Sequence, residues 1–184
     1  MNATTHAIFG VAALSGTAML AGMEPPLYVY PLAVVAAWLP DVDNPRSTLG
    51  NGLSRKKNPF LNAVTRPLSW ALRTTSFFLV RTVGHRTLTH SLLGVALFLV
   101  PAWLLLGSFP NLVLALAAGC LSHLVADALN TPGVPLLWPL DWRFRLLPGG
   151  IRSGGVPEFA VAALVFVLAT WTTVQVQPAL GGML

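Results

Sequence analysis

The chain has 184 residues, of which 54% are hydrophobic and only 9% charged, with a net charge of +5. Soluble domains carry roughly 25% charged residues, so this composition excludes an ordinary water-soluble domain and makes the bilayer the expected solvent. Lys and Arg are confined to two segments that border apolar runs, which points to membrane topology rather than to nucleic acid.

A helix crossing the hydrocarbon needs about 20 mostly apolar residues, within about 17 to 25. Five segments meet or approach this requirement: residues 6–23, 28–39, 88–109, 111–128 and 156–176. The first has no Lys or Arg before it and no small-residue cleavage site after it, so it reads as a retained helix rather than a leader. The second is the weakest, because Pro31 interrupts it and Pro40 closes it; a short, tilted or re-entrant helix is expected there. Between the second and third spans, residues 43–84 alternate Phe60, Leu61, Val64, Leu68 and Leu72 with Arg66, Arg73 and Arg81 at broadly helical spacing, as in a basic helix lying on the membrane surface. Between the fourth and fifth, residues 131–155 are rich in Pro, Gly and Trp and predict a turn-rich interfacial segment, with Trp138 and Trp142 as anchors. The fold class expected is therefore all-α: a polytopic bundle of about five transmembrane helices with an interfacial amphipathic helix, forming one domain over residues 1–184.

The basic residues test this arrangement. Arg46, Arg55, Lys56, Lys57, Arg66, Arg73, Arg81 and Arg86 lie in the second-to-third connection, and Arg143, Arg145 and Arg152 in the fourth-to-fifth, which accounts for all 11. With five spans both connections share one side, which the positive-inside rule assigns to the cytoplasm, with the N-terminus inside. A four-span arrangement loses the agreement.

Ionisable groups in or beside membrane helices are costly and are read as functional by default. His6 lies at the first span, Asp41 and Asp43 follow the second, His85 and His90 precede or open the third, His123 and Asp127 close the fourth, and Glu158 starts the fifth. On this topology all face the cytoplasm at similar depth, and they include all 4 His and four of the 6 acids, leaving out Glu24 and Asp141. Taken singly they have plain explanations: a helix end for His6, turn chemistry for Asp41 and Asp43 beside Pro40 and Asn44-Pro45. His123 and Asp127, four apart on one helical face, are the stronger signal.

Imidazole and carboxylate without thiolate suit zinc, manganese or iron; Cys120 is the only cysteine and lies in an apolar run. So many ligands exceed the need of one structural zinc, so one or two ions are expected, and paired ions typically serve phosphoester hydrolysis. Arg86, Arg143 and Arg145 are candidate phosphate-binding forks, although positive-inside topology also accounts for them.

The motifs Thr5-His6-Ala7, Leu39-Pro40-Asp41-Val42-Asp43, Gly84-His85-Arg86-Thr87-Leu88-Thr89-His90-Ser91 and Ser122-His123-Leu124-Val125-Ala126-Asp127 together resemble the bacterial membrane-bound metal-dependent hydrolases, in particular their LexA-regulated inner-membrane subgroup. The resemblance runs from Thr5 to about Phe159, and the stretch 131–147 looks particularly close to that subgroup. It implies an inner-membrane protein with a divalent-metal hydrolase centre on His6, Asp41, Asp43, His85, His90, His123 and Asp127, with Glu158 as a further ligand. A more distant likeness, in the His-x-x-x-Asp step, is to zinc-dependent phospholipase C.

The function expected is hydrolysis of a phosphoester, in a phospholipid or another membrane-associated substrate, at the cytoplasmic face. Asp41 or Asp43 is the candidate base, His123 and Asp127 the core of the centre, and Arg86, Arg143 or Arg145 the phosphate contacts. The alternative is a divalent-metal transporter or channel using the same cluster. Transporter sites lie near the bilayer midplane, whereas these ligands gather at one side.

Overall fold

The computed structural model describes residues 1–44, 70, 74, 77, 81 and 87–177. Its five α-helices are α1 (Ala3–Ala21), α2 (Tyr30–Ala36), α3 (Leu92–Leu106), α4 (Pro110–Ala128) and α5 (Val156–Val176). Tight 3₁₀ turns Leu27–Val29, Leu39–Asp43 and Leu88–His90 flank α2 and precede α3. No strand is present among the described residues; two isolated bridges, Asn130 with Ile151 and Val134 with Phe144, brace the segment between α4 and α5.

Three helices, α1, α4 and α5, are long and apolar enough to cross a membrane. The apolar stretches Leu27–Ala36 and Leu92–Leu106 are shorter. All five expected helices are found, and α5 has the expected bounds. The third opens later than expected, because Ser91 rather than Leu88 caps it: the Ser91 hydroxyl accepts from the Gly94 N–H at 3.1 Å and donates to the Leu88 carbonyl at 2.7 Å. Of the expected surface helix, only Trp70, Thr74, Phe77 and Arg81 are described; each is helical, and the Thr74 hydroxyl donates to the Trp70 carbonyl at 2.9 Å.

In the bundle α1 packs on α5, α4 and α2, while α4 also packs on α2 and α3. Exposed apolar side chains, such as Leu104 and Leu105 on α3 or Leu164 and Val167 on α5, face outward, as a lipid-bathed surface requires. Ser15 of α1 meets Thr172 of α5 at 2.6 Å, a local polar contact between helices.

The short helix α2 is wedged against α4 by small residues. A Cβ built on Gly119 would lie 2.4 Å from the Ala33 carbonyl oxygen and 2.5 Å from Ala36 Cβ, so only glycine lets the backbones come this close. That approach carries the end of α2, and the 3₁₀ turn with Asp41 and Asp43, to the C-terminal half of α4 where His123 and Asp127 sit.

Candidate metal centre

His6, in the first turn of α1, is buried and stacks on His123 of α4, with ring centroids 3.9 Å apart and planes 10° from parallel. His90 closes the 3₁₀ turn before α3 and meets His123 edge-on, 5.0 Å between centroids. That turn folds back over the start of α3 so tightly that a Cβ on Gly94 would fall 2.0 Å from the Leu88 carbonyl oxygen. Glycine at 94 is therefore what allows His90 to point inward.

The orientation of each imidazole can be read from its second nitrogen. His123 Nδ1 lies 2.7 Å from the Ala37 carbonyl oxygen, which can only accept, so Nδ1 carries the hydrogen and Nε2 presents its lone pair. His90 Nδ1 lies 3.0 Å from the Thr89 hydroxyl and 4.0 Å from Asp43 Oδ2, which turns its Nε2 to the centre. Around those inward nitrogens the separations are short and similar. His123 Nε2 is 3.3 Å from His90 Nε2, 3.7 Å from Asp127 Oδ2 and 3.9 Å from Asp41 Oδ1. His90 Nε2 is 3.5 Å from Asp41 Oδ1 and 3.6 Å from Asp127 Oδ2. The other Asp127 oxygen, Oδ1, is 3.4 Å from His6 Nε2, accepts from Asn130 Nδ2 at 2.7 Å and lies 2.8 Å from the Met1 amino group.

Two overlapping sets thus have donor atoms all within 4.8 Å of one another: His6, His123 and Asp127, and Asp41, His90 and His123. With bonds of about 2.0 to 2.1 Å, the edge of a tetrahedral nitrogen and oxygen shell is about 3.3 to 3.4 Å, close to the shortest separations here. Burying carboxylates among apolar helices is costly unless a cation balances them. The donor set, three imidazoles and two carboxylates without sulfur, fits zinc, manganese or iron. Because His123 has only Nε2 to offer, it serves one ion. Asp127 turns Oδ2 toward His90 and His123 and Oδ1 toward His6, where the Met1 amino group and Asn130 also engage it.

Asp41 is the member closest to solvent, its side chain 28% exposed. Burial opposes its ionisation, but the hydrogen bond to His90 and the fields of His123, His90 and His6 prevail and hold its carboxyl below the usual carboxylate range.

The chain matches, over residues 1–180, the family described as YdjM inner membrane protein. It belongs to that family. Relatives known as inner membrane protein YdjM, from Escherichia coli K12 and Shigella flexneri, are each 33% identical over 181 residues, covering 93% of this chain and 82% of theirs. The uncharacterized protein YvsG of Bacillus subtilis is 31% identical over 166 residues, 89% of this chain and 88% of its own. No solved structure matches. Membership in the YdjM family, together with several apolar helices, gives this chain an inner-membrane location.

Of the residues singled out in the sequence, His6, Asp41, His90, His123 and Asp127 converge in this YdjM-family chain. Asp43, also buried, stands on the Nδ1 side of His90, 4.0 Å away and outside both sets. Glu158 belongs to neither set. Its carboxylate accepts from the Asn2 N–H at 2.5 Å, the Thr5 hydroxyl at 2.8 Å and the Gly154 N–H at 2.6 Å, tying the start of α1 to the start of α5. Arg143 and Arg145 stand exposed on either side of Phe144, on the bridged ribbon that follows α4. His85 and Arg86 lie outside the described residues.

Several contributors escaped the sequence reading. The Ala37 carbonyl and Asn130 orient the centre, and Trp38 Nε1 donates to the Ala3 carbonyl at 2.8 Å, fastening the Asp41 turn to the helix that carries His6. Asn130, three residues after Asp127, had a signal in its spacing; the Ala37 carbonyl had none.

Proposed function

We propose that this chain is a metal-dependent hydrolase of the inner membrane, cleaving a phosphoester of a phospholipid or another membrane-associated substrate at the cytoplasmic face. The observation that carries the reading is the convergence of three imidazole nitrogens and two carboxylates, His123 Nε2 lying 3.3 to 3.9 Å from His90, Asp127 and Asp41. A resident divalent ion, zinc first and manganese or iron next, would supply Lewis acidity toward a phosphoryl oxygen and an acidified water. His90, His123, Asp41 and Asp127 would hold it, and His6, stacked on His123, stands beside the second oxygen of Asp127.

The protein's own groups complete the chemistry. Asp41 is the part of the centre nearest solvent, its side chain 28% exposed, so it marks the side from which water and the phosphoester would reach the ion. The Thr89 hydroxyl and the Ala37 carbonyl hold the two imidazoles in register. Arg143 and Arg145, exposed on the ribbon that follows Asp127, are candidates to steady a phosphate. The likeness to the LexA-regulated membrane hydrolases and to zinc-dependent phospholipase C supports the reaction class, and the positive-inside pattern supports the cytoplasmic side. The transporter reading is disfavoured by the placement of the ligands: His6 and His90 lie at helix starts and Asp127 at a helix end, away from mid-helix.

The test is hydrolysis by the detergent-purified chain of phospholipids and of generic phosphomonoesters and diesters. Turnover that a chelator abolishes and added metal restores, and that His123→Ala removes together with the ion, is the expected result. Stoichiometric metal without turnover, accompanied by metal uptake into proteoliposomes, would overturn the hydrolase reading in favour of transport.

A further inference from the structure

Beside the centre, the wall formed by α3 and α4 is hollowed. A cavity of about 130 Å³ lies against the Asp41 turn and the His90 turn, its lining including Pro40, Val42, Thr89, Val95 and Cys120. Phe98 forms part of its wall and also part of the wall of a second hollow, about 420 Å³, bounded by Pro101, Leu105, Leu106 and Leu116 farther along the same two helices. The helices run antiparallel here: α3 begins and α4 ends at the His/Asp centre. The two hollows therefore follow one seam, from the centre toward the opposite end of the bundle. From Gly94 to Leu106 the α-helical rise covers about 18 Å, against about 15 Å for half of a 30 Å hydrocarbon core. Apart from Thr89 the lining is apolar, and Leu97, Leu104 and Leu105 beside it face outward.

We infer that the α3–α4 seam seats one acyl chain of the lipid substrate, holding its phosphate at the His/Asp centre. The inference rests on the hydrolase reading and adds the substrate class: a phosphoester with a long acyl chain, drawn from the surrounding leaflet. The alternative hollow between α1 and α5, about 390 Å³, has its polar end against Asn2 and Thr5, where Glu158 is engaged, rather than against the residues flanking Asp41 and His90. Lipid tails are as apolar as the groove, so seating a chain there gains little transfer energy. What the groove contributes is register: it fixes the height and angle at which the phosphate meets the ligands, and a displacement of about 1 Å can cost about 100-fold in rate.

The experiment uses the full chain in phospholipid nanodiscs containing one of two photoactivatable phospholipids, with a diazirine near the carboxyl end of an acyl chain or at its tip. After illumination, the near-carboxyl probe is expected to label Val42, Val95 or Cys120, and the tip probe to label Leu105, Leu106 or Leu116. Labelling spread evenly over the outward faces of α1, α3 and α5, or crosslinks between two copies of the chain in place of lipid adducts, overturns the inference. Val95→Phe, which fills the inner hollow, should lower kcat/KM for the long-chain phosphoester by at least about tenfold while leaving a short water-soluble phosphoester within about twofold. Should that variant fail to fold, the label map of the unaltered chain decides alone. The two readings fail separately: groove labelling without hydrolysis of any phosphoester removes the enzyme and leaves a lipid site, whereas equal turnover of short and long substrates with scattered labelling removes the groove and leaves the enzyme.

Discussion

Gly119→Ala probes the contact on which the centre is built. The added methyl would sit 2.4 Å from the Ala33 carbonyl oxygen, 2.5 Å from Ala36 Cβ and 2.9 Å from the Ala37 nitrogen, where ordinary contact begins at 3.4 Å. Two of these three neighbours are backbone atoms, so α2 must retreat by about 1 Å, the difference between those distances. The bond from His123 Nδ1 to the Ala37 carbonyl, 2.7 Å now, would open beyond hydrogen-bond range. Overpacking costs about 1 to 3 kcal/mol and the lost hydrogen bond about 1, set against roughly 1 returned by the better helix propensity of alanine. A net loss of about 1 to 3 kcal/mol is expected, with ion affinity lowered about 10- to 100-fold because the imidazole loses its orienting partner. Gly16→Ala is the control: a Cβ there meets nothing within 4 Å, so the same substitution in α1 should be neutral or slightly stabilising. Thermal unfolding in detergent and metal competition with a chromophoric chelator measure both quantities. If Gly119→Ala matches Gly16→Ala in midpoint and ion affinity, the wedged α2 does not position the centre.

The other substitutions separate holding an ion from holding the fold. Glu158→Gln replaces a carboxylate that accepts three hydrogen bonds with an amide that opposes at least one donor, and should cost about 1 to 3 kcal/mol in thermal stability. Ion content, read by elemental analysis, should be unchanged; a parallel loss of metal would make Glu158 a ligand. His123→Ala removes the residue common to both donor sets and should abolish stoichiometric binding, whereas His6→Ala should keep an ion on Asp41, His90 and His123. Equal loss in both would contradict the division of the site. Trp38→Phe deletes one hydrogen bond to Ala3, worth about 1 kcal/mol, and should lower the unfolding midpoint by about 2 to 4 °C; no change would mean that this tether is idle.

Much of this arrangement was legible in the sequence because a bilayer leaves few options for an apolar run. The length and composition of residues 156–176 are enough to delimit α5, since charged and Gly-rich sequence stops at one edge and Pro178 follows the other. His123 and Asp127 share a helical face by spacing alone. The fate of Glu158 was not legible: its place at a helix start looks the same whether it binds an ion or three N–H and O–H donors, and only the proximity of Asn2, Thr5 and Gly154 separates these. Likewise Asp41 and Asp43 differ by two positions on a 3₁₀ turn whose winding, unknown from sequence, aims one at the centre and the other at the far nitrogen of His90. Apolar pattern alone starts α3 too early, because Leu88 is apolar yet belongs to a turn, and the start is set locally by the Ser91 cap and by Gly94.

X-ray absorption at the metal edge of the purified chain addresses the account most directly. It should find about one or two ions per chain in a shell of nitrogen and oxygen at about 2.0 to 2.2 Å, with the outer scattering of imidazole and no sulfur near 2.3 Å. A spectrum of adventitious metal far below one equivalent, or a sulfur shell that only Cys120 or a Met could supply, would contradict a His/Asp centre in this protein.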